Sequence, residues 1–147
     1  MKKILLLCVA LGLGVVTFSQ NNTNAVYSRF FTGLTMRVDY FHTGTAQEEH
    51  FSLDRVLNDG PWAGSETVLL DNLNRGSYFF KITDTITNTL IYSRGFASIF
   101  GEWQSTGEPN WATFSESLRF PWPKLPVKLT IEKRDAKNNF VPVWSTV

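Results

Sequence analysis

The chain has 147 residues with 14 basic and 13 acidic side chains, a formal net charge of +1. Its basic residues are scattered singly apart from Lys133-Arg134, which excludes the clustered positive face that nucleic-acid binding requires. A single cysteine excludes an internal disulfide framework, and an aromatic share of 14% supplies the apolar material for a core held by packing instead.

The first twenty residues predict a secretory signal peptide. Two lysines precede an apolar run from Ile4 to Val16, and small and polar residues follow it. The run is too short for a membrane-spanning helix, which needs about 20 residues. Cys8 lies in the middle of the run rather than at its end, which argues against a lipoprotein. We therefore expect residues 1–20 to be removed and residues 21–147 to form one exported, cysteine-free domain, located in the periplasm, on the cell surface or outside the cell.

Apolar residues in the mature chain alternate with period two, which predicts β-strands. The clearest alternations lie in Met36–Tyr40, Phe51–Leu53, Tyr78–Ile82, Ala112–Phe120 and Val127–Ile131. Turn-forming residues separate the apolar runs at Asn58–Pro61, Asn74–Gly76, Asp84–Asn88 and Asp135–Asn139. Two hairpins are expected, Tyr78–Thr83 with Leu90–Arg94 and Val127–Lys133 with Phe140–Trp144.

This spacing predicts an all-β fold, an antiparallel immunoglobulin-like β-sandwich of about seven to eight strands, with a closed barrel as the alternative. No mature segment has an apolar pattern long enough to predict a helix. The polar segment Gln20–Asn24 is expected to be a loose leader. Pro121-Trp122-Pro123 and Pro126 lack amide donors, so we expect a stiff connector there rather than a central strand.

Neither His42 nor His50 begins the H-E-x-x-H motif of a zinc peptidase. An alternative set of zinc ligands would be four residues near one hairpin: His42, Glu48, Glu49 and His50. We interpret these four as solvated residues around a hairpin loop at Thr43–Gln47. The mature sequence also has no serine elbow, thiol nucleophile or glycine-rich phosphate loop. The sequence therefore predicts no catalytic residue, no bound metal and no cofactor.

Three tryptophans lie beside turn residues and are candidates for a binding surface: Trp62, Trp103 and Trp111. Loop tryptophans can form a flat platform for a sugar ring or a peptide. The favoured interpretation is that they fold over the open ends of the sandwich and complete its core, because aromatic side chains dominate buried area. Trp122 and Trp144 are expected to be structural, since one lies between prolines and the other on the last strand.

Several longer stretches together resemble the N-terminal domain of bacterial zinc peptidases of the immunoglobulin A peptidase type, metallopeptidase family sixty-four. They are Phe31–Gly33, Thr35–Gly44, Glu49–Arg55, Gly60–Ser65, Ile91–Phe96, Ile99–Trp103 and Glu116–Pro123. The resemblance extends over about residues 27–145, nearly the whole mature chain.

The resemblance implies exported enzymes of Gram-negative anaerobes, in which a β-sandwich precedes a catalytic domain carrying H-E-x-x-H. The chain departs from this pattern by stopping at Val147, about where that catalytic domain would begin, so no catalytic residue carries over. The resemblance thus implies a non-catalytic accessory domain that packs against, or positions substrate for, a peptidase domain in cis or in trans.

Two alternatives remain. One is a free-standing module that binds a glycan or a host glycoprotein through Trp62, Trp103 and Trp111. The other is a peptidase in its own right, which the missing zinc ligands disfavour.

Overall fold

The computed structural model describes residues 21–147, so the predicted signal peptide lies outside the described part of the chain. This part contains seven strands and two short helices. In chain order they are α1 (Asn21–Phe30), β1 (Phe31–Gly44), β2 (Glu49–Pro61), β3 (Tyr78–Asp84), β4 (Leu90–Phe96), α2 (Ile99–Gln104), β5 (Ala112–Pro123), β6 (Val127–Arg134) and β7 (Phe140–Thr146).

The strands form two antiparallel sheets, with the orders β2-β1-β5 and β4-β3-β6-β7. The predicted all-β sandwich is therefore confirmed, with seven strands. The order β4-β3-β6-β7 is that of strands C′, C, F and G in an immunoglobulin variable domain, and β1 pairs with β5 as strand B pairs with strand E. β2 lies on the edge that strand A occupies in that fold.

Period-two alternation turns one face of each sheet toward a shared aromatic core. Val38 and Tyr40 of β1 belong to this core, as do residues of β3, β5 and β6. Rings from the two sheets meet across it, with centroids 6.2 Å apart for Phe80 and Phe120 and 6.1 Å apart for Tyr40 and Trp144. Because each fully buried large apolar side chain stabilises the fold by about 1.5–3 kcal/mol, this core can hold the sandwich without disulfides.

Both predicted hairpins are confirmed, as the pairs β3–β4 and β6–β7. Each turn is fixed by an aspartate that accepts hydrogen bonds from the residues it precedes. Asp84 accepts from the amide and the hydroxyl of Thr87, and Asp135 accepts from the amides of Lys137 and Asn139. This is the local bonding that makes aspartate a turn residue.

The turn predicted at Asn58–Pro61 is instead the end of β2. The Asn58 side chain accepts a 3.0 Å hydrogen bond from the Gly60 amide, and Gly60 has a φ of 85°. The pairing with β1 shifts register between Leu34 and Met36. The turn-forming residues therefore make a bulge within a continuing strand rather than a reversal of the chain.

The proline-rich connector is also a strand. Pro121 pairs with Thr35 and Pro123 pairs with Phe31, so both prolines belong to β5. They are tolerated because β5 is an edge strand, where an amide on the outer side has no partner to lose. Pro126 does lie in a connection, where its carbonyl accepts the Thr85 hydroxyl at 2.8 Å.

Two short helices were not predicted. Residues 21–24 begin α1 rather than forming a loose leader, and Tyr27 of this helix packs on Phe31 with ring centroids 5.4 Å apart. The N-cap of α2 is Ser98, whose hydroxyl oxygen accepts the Gly101 amide at 3.1 Å. With 6 residues, α2 is too short to show a helical repeat in the sequence.

Candidate functional site

The ionisable and polar side chains that could take part in a reaction converge on His42. This histidine is completely buried rather than solvated. Its side chain is 0% exposed. The imidazole is stacked between the rings of Phe51 and Phe100, each with its centroid 4.0 Å away, and the edge contact with Tyr78 measures 5.6 Å. The interpretation of His42 as a solvated residue of the hairpin loop is therefore wrong, because the even-numbered residues of β1 from Met36 to His42 face the core.

The four residues considered and rejected as zinc ligands are divided by the same alternation. Glu49 turns inward with His42, whereas Glu48 and His50 lie at the surface, 3.7 Å apart. Glu116 of β5 takes their place beside the imidazole. The sequence carried a signal for this residue, since Glu116 shares its parity with the core residue Leu118.

Both imidazole nitrogens face carboxylates. Nε2 lies 3.1 Å from Oε2 of Glu49, and Nδ1 lies 3.4 Å from Oε2 of Glu116. Nδ1 also contacts the hydroxyl of Ser98 at 3.2 Å, and the same hydroxyl lies 2.7 Å from Oε1 of Glu116. Nε2 donates to the ionised carboxylate of Glu49, which can only accept, while Nδ1 lies between the carboxylate of Glu116 and the Ser98 hydroxyl.

The two carboxylates are held ionised despite their burial. Burial alone would raise the pKa of Glu116, but hydrogen bonds from His42, Tyr40, the Phe100 amide and Ser98 lower that pKa to about 2. Burial likewise opposes ionisation of Glu49, and hydrogen bonds from His42, Tyr78 and Lys133 lower its pKa. Burial raises the pKa of both tyrosines, which keeps their hydroxyls as donors.

We call this cluster the His42 centre; it comprises Tyr40, His42, Glu49, Tyr78, Ser98, Glu116 and Lys133. Its two carboxylates are surrounded by hydrogen-bond donors, among them the ammonium of Lys133, which lies 3.1 Å from Glu49. Tyr78 and Lys133 come from β3 and β6, and the two carboxylates from β2 and β5. The centre is therefore an ionic connection between the two sheets.

The His42 centre does not fit a zinc ion. The two nitrogens that would bind a metal already contact carboxylates, and phenylalanine rings cover both faces of the imidazole. In the described range 21–147, no group of three or more His, Cys, Asp or Glu side chains is arranged to hold a metal ion. We derive no hydrolytic step from these residues.

The three candidate tryptophans do not share one surface. Trp62 meets the ring of Tyr92 edge-on at 5.9 Å, and it follows Pro61, which pairs with Leu34 near the start of β1. Trp111 precedes Ala112, which pairs with Gly44 at the other end of β1. At about 3.3 Å per residue, these ends lie roughly 30 Å apart.

Trp103 and Trp111 both lie near the far end of β1. Trp103 packs on Phe100 and Phe114 at 5.5 and 5.8 Å, and its indole donates to Glu108. Trp111 is 60% exposed and stacks on His50 at 5.9 Å. Trp62 and Trp103 thus cover apolar residues, while Trp111 presents most of its surface to solvent.

An apolar cleft opens between the sheets beside the end of β7. It has a volume of about 380 Å³, and buried core residues such as Phe120 form its floor. Leu53, Val56 and Leu125 line its mouth and are 43%, 45% and 51% exposed. The last residue, Val147, also lines the cleft. The core is therefore uncovered at this point.

A family model described as Peptidase M64 N-terminus matches residues 26–145, a range that contains β1 to β6 and nearly all of β7. The chain belongs to this family. The match confirms the resemblance predicted from the sequence and places the Peptidase M64 N-terminus domain on the whole sandwich. No curated protein matches the chain significantly. Within residues 21–147, neither helix is long and apolar enough to cross a bilayer.

Proposed function

We propose that this chain is a non-catalytic N-terminal accessory domain of an exported M64 peptidase, and that it packs against the catalytic domain and positions substrate for it. Family membership supports the peptidase context. The observation that carries the packing role is the apolar cleft. Its uncovered aliphatic side chains adjoin the point where the family model ends.

The cleft has the composition of a contact surface. Soluble proteins rarely leave contiguous apolar groups exposed unless a partner covers them. Leu53, Val56 and Leu125 are adjacent to core residues, so a domain seated there would extend the existing core. Burying such side chains contributes about 25 cal/mol per Å².

The strand register supports a partner in the same polypeptide. Leu129 of β6 pairs with Thr146, near the end of β7. In a longer protein, residues after Val147 would continue along Val127, which lines the cleft. A catalytic domain connected there would be delivered to the cleft by its own linker, at high effective concentration.

The non-catalytic assignment is supported by the state of the His42 centre. Its imidazole is completely buried between two phenylalanine rings, out of reach of a substrate, and both of its carboxylates are saturated with hydrogen-bond donors. A general base needs an available lone pair within reach of its substrate. The exported location follows from the predicted signal peptide and is part of the proposal.

The test begins by sequencing the gene beyond the Val147 codon, together with the neighbouring genes. The peptidase region that they encode is then expressed separately. Hydrogen exchange of the 147-residue product should slow at residues 53–56 and 125 when that region is added. Leu125→Asp should weaken the association at least tenfold, because it places a charge in an apolar contact. Ile86→Asp, an equally aliphatic site exposed on the β3–β4 turn, should leave it unchanged.

Two results would contradict the proposal. One is an authentic stop codon with no peptidase gene nearby and no exchange protection by any M64 catalytic domain. The other is cleavage of immunoglobulin A by this chain alone, abolished by a chelator.

A further inference from the structure

A separate recess of about 440 Å³ lies on the outer face of the sheet β4-β3-β6-β7. Phe79, which lines it, alternates with Tyr78 and Phe80 of the core, so the recess and the core are on opposite faces. Leu90 and Phe140 add apolar wall, and the segment of residues 70–74 forms one rim. We call this space the outer recess.

One carboxylate oxygen in the outer recess lacks a partner among the described residues. Glu132 is 6% exposed, and its Oε1 accepts a 2.8 Å hydrogen bond from Nζ of Lys81. Its Oε2 is closed off from solvent and has no hydrogen-bond partner among the described residues. A buried acceptor left unsatisfied in this way is rare in native proteins, because neither protein nor water offsets its desolvation.

The other carboxylate of the recess is fully used. Asp71 accepts the amides of Leu73 and Gly95 at 2.8 and 2.9 Å, and its own amide donates to Ser93. These bonds fix the rim against β4, so the recess exists before any ligand arrives. Of the two lining carboxylates, Glu132 is thus the one with an oxygen, Oε2, that accepts no hydrogen bond from the described residues.

The charges around Glu132 favour a cation. Among the lining residues, two carboxylates face the single ammonium of Lys81. Arg94 lies outside the lining, where it acts on Asp71 and donates to the carbonyls of Leu69 and Val68, so Glu132 has only Lys81 as its cation. Arg134 lies outside the lining, over the Phe140 ring at 4.1 Å, and donates to the carbonyls of Gly76, Asn74 and Asn138. The guanidinium of Arg134 therefore makes its hydrogen bonds to these carbonyls and not to Glu132. A second ammonium in the recess would balance the charge of its lining.

We propose that the outer recess binds a lysine side chain projecting from a partner protein. The ammonium donates to Oε2 of Glu132 while the aliphatic stem packs along Phe79 and Leu90. Because Oε2 is closed off from solvent, binding requires the carboxylate to turn about its terminal torsion, which is soft in glutamate, while the partly exposed Lys81 side chain follows Oε1. Exposed Leu70 and Leu73 at the rim provide apolar contact for the surface around that lysine.

Other ligands fit the recess less well. An arginine fork pairs with both oxygens of a carboxylate, and Lys81 already occupies one of them. A sugar needs an open aromatic face, but Phe79 is buried and Arg134 covers Phe140. A lysine ammonium needs a single free oxygen, which is what Glu132 offers.

The test titrates ¹⁵N-labelled protein with Nα-acetyl-lysine methylamide and follows amide chemical shifts. Shifts should concentrate at residues 70–74 and 132, with a dissociation constant on the order of 1 mM for so small a probe. The norleucine analogue, which has the stem without the ammonium, should bind at least tenfold more weakly. This comparison uses the unaltered protein and so does not depend on a variant folding.

Glu132→Gln should also weaken lysine binding at least tenfold, because one side of its amide carries N–H donors. Glu102→Gln, which removes the same charge from exposed α2, should leave binding unchanged. Equal binding of lysine and norleucine, tighter binding of the arginine analogue, retained binding in Glu132→Gln, or no shifts up to about 20 mM would overturn the proposal.

Discussion

At the scale of single residues, His42 shows how a histidine can serve as a buried structural residue. A buried imidazole without partners would be unfavourable, because burial removes its hydration. Here carboxylates at both nitrogens and phenylalanine rings on both faces replace the water. Such a centre need not be more stable than apolar packing, but removing one member leaves the others as uncompensated buried charges.

Replacing His42→Phe should therefore destabilise the protein by about 3–5 kcal/mol, although phenylalanine fills similar space. The loss arises because Glu49 and Glu116 each lose a hydrogen-bond partner while they remain buried. Urea unfolding of the two proteins measures the difference. His50→Gln is the matched control at the surface, and it should change the free energy of unfolding by less than about 0.5 kcal/mol. A His42→Phe protein within about 1 kcal/mol of the parent would show that the contacts of His42 with the two carboxylates do not stabilise the fold.

At the scale of elements, the connection between β2 and β3 is attached to β4 through close backbone approach. A Cβ atom on Gly95 would lie 2.1 Å from the carbonyl oxygen of Arg75, and backbone cannot move aside as a flexible side chain can. Gly95→Ala should therefore cost about 2–3 kcal/mol and speed exchange of the Asp71 amide. The measurement is urea unfolding combined with hydrogen exchange.

Gly107→Ala provides the control for that prediction. Gly107 has a φ of +73°, but a methyl group added there would have no atom within 4 Å, so its substitution should cost only about 1 kcal/mol of backbone strain. If Gly107→Ala proved the more damaging change, backbone strain rather than steric contact would govern these positions.

Strands in which apolar and polar residues alternate could be predicted from the sequence. Elements that are fixed by local or distant contacts could not. Val127, Leu129 and Ile131 predicted β6 because one of its faces is buried. The prediction at Asn58 to Pro61 was wrong because turn residues also make bulges. The two helices are stabilised by contacts such as that of Tyr27 with Phe31, which a repeat of 3.6 residues does not reveal.

At the scale of the whole molecule, the His42 centre joins residues far apart in the chain. Glu49, Ser98 and Glu116 reach the imidazole from β2, the α2 cap and β5. No residue spacing in the sequence predicts these contacts with the imidazole, because they depend on which strands become neighbours in the fold. Only the inward parity of Glu116 hinted at it.

The depressed carboxylate pKa values make the stability of the whole fold sensitive to acid. The folded pKa of Glu116, about 2, lies below its ordinary value of 4.5. Its stabilising contribution is thus fully present above pH 4.5 and is lost as the pH falls toward 2. We expect the free energy of unfolding to fall by about 3 kcal/mol from this group across that window, at 1.36 kcal/mol per pH unit.

Glu116→Gln tests the assignment, since it should flatten the dependence between pH 5 and pH 2 by about that amount. Glu102→Gln should leave the slope intact. Chemical unfolding at several pH values provides the comparison. An identical slope in the parent and in Glu116→Gln would place the acid sensitivity elsewhere.

The two prolines of β5 have a consequence for assembly. Pro121 and Pro123 share one parity along an edge strand, so two of the amide donors that a docking strand would seek are missing from the same side. This stretch cannot template a neighbouring chain, which protects the domain from edge-to-edge polymerisation there. Any oligomer built by sheet extension must therefore grow from the free edges of β2, β4 or β7, or from the proline-free beginning of β5.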